Sequence, residues 1–162
     1  MLVGVVCRRG EVEGILTSRV TVDGTDATDR IAEMVRSSRF APQLRCVLLN
    51  SIMMGGFNVV NIRKLSDELG MPVIAITRKR PDRLAAGRAI KKHFADWKQR
   101  LAIVRRAGRA RECGHKYKVY LQIAGTGLAQ AEEIVEAYGL GPLRLANMIA
   151  SGVTRGESHG RM

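Results

Sequence analysis

The chain has 162 residues, 46% of them hydrophobic, a length that fits one domain with a sizeable core. No apolar run approaches a membrane span, and "MLVGVVCRRG" lacks the order of a signal peptide, so a cytoplasmic protein with no membrane association is expected. The net charge of +12 points to a polyanionic partner, nucleic acid first.

In chain order, Leu2–Cys7 and Val12–Val22 flank the turn "RRGE". Val12, Leu16, Val20 and Val22 fall on one side at period two, which predicts a β-hairpin. "DGTDATDR" then supplies turn residues and an Asp or Thr to cap a helix whose apolar face is Ile31, Met34 and Val35. That helix fades near "SSRFAP". The run Arg45–Leu49 has the continuous apolar character of a strand covered on both faces. Val59, Ile62, Leu65 and Leu69 mark a helix stopped by Gly70, and Pro72–Thr77 is another buried strand. Together they form a βαβ unit with parallel strands.

Two basic helices follow, one from about Pro81 to Phe94, the other from near Asp96 with Trp97, Leu101 and Val104 inward. Tyr117, Val119, Leu121 and Ile123 alternate as a strand. A helix bearing Leu128, Ala131, Val135 and Tyr138 closes at Gly139, and a last one starts near Pro142. Residues 1–162 read as a single domain, with 154–162 as a polar tail.

The charge is segregated. Residues 78–118 hold fifteen Lys or Arg against three Asp or Glu, and the remainder balances to zero. A run of charges is usually a solvated loop, but a basic stretch of about forty residues interleaved with Phe94, Trp97 and Tyr117 predicts a nucleic-acid-binding face. Its candidate contacts are Arg78, Lys79, Arg80, Arg83, Lys91, Lys92, Lys98, Arg105, Arg106 and Arg109. Most of the aromatics suit the core; one exposed ring would stack on a base.

Other candidates are weaker. Asp23, Asp26 and Asp29 read as Mg²⁺ ligands at a strand end, or as an ordinary turn, a helix cap and a dipole partner. Asn50 with Gly55 and Gly56 reads as a phosphate-binding turn, or as a strand–helix corner in which Asn50 or Asn58 bonds to backbone. Cys7, Cys46 and Cys113 form no CxxC pair and are read as structural thiols, and "CGH" at Cys113–His115 lacks the partners of a zinc site. His93, His115 and His159 are read as solvated. Glu157 and Arg161 read as part of the polar tail, or as residues that fold back toward the sheet edge.

Taken together, "VEGILTSRVTVDGTDATDRIAEMVRSSR", "LRCVLLN", "GFNVVNIRKL", "PVIAITRKRPD", "QIAGTGL" and "PLRLANMIASGVTRGES" resemble the largely archaeal endonuclease dU family, distantly similar to endonuclease V. The resemblance implies a ribonuclease-H-like fold, a mixed sheet flanked by helices, with Mg²⁺ or Mn²⁺ held by carboxylates at strand ends. It also implies hydrolysis of DNA containing deaminated bases, uracil in particular, with a role in DNA repair. In that family the first metal ligand sits on a preceding strand with an "IDDG"-like motif, central between the hairpin and the Asn50 strand. Residues 1–162 contain no counterpart of it.

By position, the resemblance puts the second carboxylate at Asp23 or Asp26, the third at Asn50, where the charge is lost, and a basic residue at Arg78. It puts Asn61 where the family has Asp, and Gly125–Thr126 where endonuclease V has a histidine. The implied catalytic set is Asp23, Asp26, Asn50 and Arg78, with metal at Asp23 and Asp26. The competing reading is a catalytically impaired DNA- or RNA-binding module. DNA is ranked ahead of RNA, and a homo-oligomer is compatible with either.

Overall fold

The computed structural model describes residues 1–114 and 118–158; the candidates His115, Tyr117, His159 and Arg161 lie outside them. β1 (Leu2–Arg8) and β2 (Glu11–Ser18) form the expected antiparallel hairpin. Arg9 and Gly10 turn it with φ of 49° and 88°, the positive values that match the twist of the strands. Val12 does not join the inward face as the period-two pattern required. A bulge at Val6/Cys7 pairs Cys7 with Val12, so Glu13 is skipped and Val12 flips to the outer face, where it is exposed. Val22 is exposed too, because β2 ends at Ser18 and the chain has left the sheet.

A second sheet has the order β3 (Val47–Leu49), β6 (Val73–Thr77), β8 (Val119–Ala124), β7 (Arg111–Cys113). β3 and β6 are parallel, as the βαβ reading requires, while β8 runs antiparallel to both its neighbours. This is a mixed sheet flanked by helices. Edge strand β7 went unseen in the sequence because Arg111 and Glu112 break any apolar alternation; charged residues are what an exposed sheet edge tolerates.

Between β3 and β6 the chain makes a small hairpin, β4 (Met53–Met54) and β5 (Asn58–Val59), before α2 (Ile62–Leu69). Gly55 and Gly56, with φ of 52° and 85°, therefore close this hairpin and do not open a helix. The helix is capped instead by Asn61, whose Oδ1 accepts the Lys64 N–H at 3.1 Å, and it stops at Gly70 in the left-handed region. Val59, which the spacing put in the helix, belongs to β5, and the helix begins one turn later, at Ile62.

The remaining helices are α1 (Ala27–Arg36), α3 (Arg83–His93), α4 (Trp97–Arg106), α5 (Leu128–Tyr138) and α6 (Gly141–Arg155). α6 thus takes in the first two residues of the polar tail. Side chains of β6 alternate between two cores. Val73 and Ala75 join Ile31, Ile62, Leu65, Ile90 and Leu101; Ile74 and Ile76 join Val119, Leu121, Ala131 and Val135. The sheet is buried on both faces, which is why its strands read as unbroken apolar runs.

The hairpin and the mixed sheet do not pair with each other. β1 and β3 each keep one open edge, and both line an apolar cavity of about 800 Å³ together with Ile31 and Met34 of α1 and Leu143 and Ala146 of α6. This is the place between the hairpin and the Asn50 strand at which the resemblance anticipated a gap. Backbone groups on these edges have no strand partner among the described residues, so their exchange should be governed by water access. In native-state hydrogen exchange, the open-edge amides of β1 and β3 are expected to exchange faster than those of β6 and β8; equal protection would contradict the unpaired edges.

Candidate nucleic-acid interface and its carboxylate loop

The loop from Thr21 to Asp26 joins β2 to α1 and carries both candidate ligands. Asp23 takes φ 55°, unusual for a residue with a side chain. The β4–β5 hairpin holds it there: the Asp23 N–H donates to the Gly55 carbonyl at 2.8 Å, and its Oδ1 accepts the Phe57 N–H at 2.8 Å. Gly56 is required beside it, since a Cβ at that position would overlap the Asp23 carboxylate. Asp23 is otherwise exposed, and among the described residues its Oδ2 has no partner.

Asp26 occupies the capping position of α1 without capping it. Its carboxylate turns back to accept the Thr21 N–H at 3.2 and 3.3 Å, the Thr21 hydroxyl at 3.1 Å and the Asn58 Nδ2–H at 2.7 Å. The vacated capping role goes to Asn58, fully buried, whose Oδ1 accepts the Ala27 N–H at 3.0 Å. Asn58 Nδ2 also donates to the Thr21 carbonyl at 2.9 Å. Burial raises the Asp26 carboxyl's pKa, but the bonds from Asn58 and Thr21 together outweigh it and hold it below the usual carboxylate range. Asp26 is thus a structural carboxylate with its oxygens already engaged.

Arg100 is the residue that sequence reasoning missed. It lies in the basic segment but is buried. Its Nε donates to Asp96 at 2.8 Å, and one terminal nitrogen donates to the carbonyls of Gly24 at 2.9 Å and Phe57 at 2.7 Å. The guanidinium lies 4.3 Å from the Phe94 ring centroid, and Phe94 in turn meets Phe57 at 5.5 Å. One cation therefore ties α4 to both the Asp23 loop and the β4–β5 hairpin. The bond from Arg100 is the largest influence on the Asp96 carboxyl and lowers its pKa. The only sequence cue was the i,i+4 spacing of Asp96 and Arg100.

The exposed cations fall in two groups. Arg78, Lys79, Arg80 and the half-buried Arg83 rim a cavity of about 750 Å³ whose wall includes Ile52, Met53, Ala86 and Val104. Lys91, Lys92 and Lys98 lie where α3 passes into α4, and Arg105, Arg106 and Arg109 are exposed at the far end of α4. Asn50 is exposed at the end of β3 but lines the 800 Å³ cavity, while its neighbour Ser51 lines the basic one. Among the described residues, no hydrogen bond or ion pair joins Asp23 or Asp26 to Asn50 or Arg78.

The described residues contain no group of three or more His, Cys, Asp or Glu placed to hold a metal ion. Cys7 and Cys46 are half-buried and Cys113 is buried, all free; burial is the main cause raising each thiol's pKa, as inert structural thiols require. His93 is exposed, and Glu157 lies in the exposed stretch beyond α6. No helix among the described residues is long and apolar enough to cross a membrane.

Two predictions follow from the loop. Asn58→Ala leaves the Ala27 N–H and Thr21 carbonyl without partners, and should lower stability by about 2–4 kcal/mol in urea unfolding; a loss under about 0.5 kcal/mol would contradict the buried network. Because the folded-state pKa of Asp26 is depressed, its contribution is present above the unfolded value of about 4 and lost as pH falls through the lower folded value. The stability gap between the native chain and Asp26→Asn should therefore be open at neutral pH and close below about pH 4.

The sequence profile described as Endonuclease dU matches residues 1–154. A Methanothermobacter thermautotrophicus relative is 47% identical over 166 residues, covering 99% of this chain and 81% of the relative. A Thermococcus gammatolerans relative is 46% identical, covering 98% and 83%, and a Methanosarcina acetivorans relative is 42% identical, covering 99% and 86%. All three are named only as UPF0215 proteins. A crystal structure of a protein of unknown function from Archaeoglobus fulgidus superposes with a TM-score of 0.90 at 34% identity, covering 95% of this chain and 90% of that one. With the profile spanning nearly its whole length, the chain belongs to the Endonuclease dU family.

Proposed function

We propose that this protein binds nucleic acid through the Arg78–Arg83 rim and the exposed lysines between α3 and α4. DNA containing deaminated bases, uracil first, is the substrate class; the family's description, an endonuclease of dU, favours DNA over RNA. The observation that carries the reading is an unbalanced charge. Residues 78–118 hold fifteen Lys or Arg against three Asp or Glu, whereas several cations outside the segment have carboxylate partners: Lys64 with Asp29 and Glu68, Arg36 with Glu68, Arg30 with Glu33. Arg78, Lys79, Arg80, Arg83, Lys91, Lys92 and Lys98 take part in no ion pair among the described residues. Unneutralised cations around an apolar-walled cavity suit phosphates outside and a base within. A ribonuclease-H-like arrangement is part of this proposal, supported by the parallel pair β3–β6 with helices on both sheet faces.

Cleavage would call for Mg²⁺ or Mn²⁺, whose role is to activate water and stabilise charge on phosphate. The residues present do not fit a two-metal centre. Asp26 has its oxygens bonded, Asn50 is neutral, and Asp23 offers a single uncommitted oxygen. Binding without cleavage is accordingly the reading we favour; in the enzymatic alternative, Asp23, Asp26, Asn50 and Arg78 would be the residues facing the scissile phosphate.

Anisotropy titration of uracil-containing DNA tests both parts. Affinity should fall by roughly 10³ or more between about 50 and 200 mM salt if six or more phosphates are contacted. Replacing Arg78, Lys79 and Arg80 together by Gln should reduce the salt slope by about three. Salt-insensitive binding, or none, would remove the proposal. Cutting of the same DNA with Mg²⁺ or Mn²⁺ would replace the non-cleaving reading with the enzymatic one.

A further inference from the structure

Trp97 is the chain's only tryptophan and the first residue of α4; it packs against the core, as its spacing predicted, but is only half-buried. Lys91 Nζ lies 5.4 Å and Lys98 Nζ 5.5 Å from the ring centroid. Both lysines are exposed, and neither has a carboxylate partner among the described residues. Their charges rest on a ring, a weak attraction at an exposed site. A phosphate is a much stronger partner for an ammonium, so phosphates arriving beside the ring would draw the lysines away and free a π-face.

The start of α4 is also anchored. Phe94, in the turn just before α4, is held between Phe57 and the Arg100 guanidinium, and Arg100 is bonded to the Gly24 and Phe57 carbonyls. The Trp97 end of α4 is thereby fixed relative to the Asp23 loop.

We infer that Trp97 is a stacking subsite for one unpaired base, with Lys91 and Lys98 taking the phosphates on either side. The inference rests on the nucleic-acid reading above and adds to it a residue and a requirement. Bases inside a duplex have both faces covered, so this subsite takes a single-stranded or extruded nucleotide.

Because Trp97 is alone, its emission reports on the subsite directly. The full chain is titrated with an oligothymidylate and with an abasic oligonucleotide of equal length and charge. The oligothymidylate should quench Trp97 and bind on the order of ten-fold or more tightly than the abasic strand. Followed by anisotropy of labelled strands, Trp97→Leu should abolish that preference while keeping abasic affinity, and Trp97→Phe should restore part of it. Equal affinity for the two strands with no quenching overturns the stacking subsite and leaves phosphate binding standing. Binding of neither strand overturns both readings. Should Trp97→Leu lose its cooperative melting transition, quenching and the abasic comparison with the native chain decide alone.

Discussion

The buried amide of Asn58 is the contact on which this architecture turns. It is fully buried and bonds to the Thr21 carbonyl, the Asp26 carboxylate and the Ala27 N–H at once. Those groups belong to the loop leaving the hairpin and to the first turn of α1, whereas Asn58 belongs to β5. The hairpin is not hydrogen-bonded into the main sheet, so this network supplies the polar specification that a continuous ladder would otherwise give. A buried amide with its donors and acceptors satisfied permits one arrangement, because each alternative strands a polar group away from water.

Arg100 extends the same logic to the basic helices. Its guanidinium spans from Asp96 to two backbone carbonyls on separate loops, and its delocalised plane packs on Phe94. A lysine could not reproduce this, having neither the fork nor the flat face. The most buried cation of the segment is therefore internal, and its burial positions the cations that remain outside. Function and stability divide along one helix: Leu101 and Val104 pack inward while Lys98, Arg105 and Arg106 face solvent.

Much of the fold was legible because its strands and helices have strong periods. The βαβ unit, the Gly70 and Gly139 stops and the inward faces of α1 and α4 all follow from spacing. The misreadings have particular causes. A bulge turned Val12 outward, which no alternation reveals, since the skipped residue changes phase without changing composition. Gly55 and Gly56 served a hairpin whose strands are two residues each, too short to carry a pattern. Asp26 sat where a cap belongs, yet its partners were residues five back and thirty-two ahead.

By itself, the sequence determined the mixed α/β class, the parallel pair, the family and the confinement of the charge to one segment, because each is a local or compositional property of the chain. Only the tertiary structure decided which acidic and basic groups are free to act. It engaged Asp26, pinned Asp23 through one oxygen, buried Arg100, and left Arg78, Lys79, Arg80, Arg83 and the lysines around Trp97 with no ion pair among the described residues. The physical reason is that a charged side chain's role depends on its hydrogen-bond partners and its access to water, and both are fixed by residues distant in the chain.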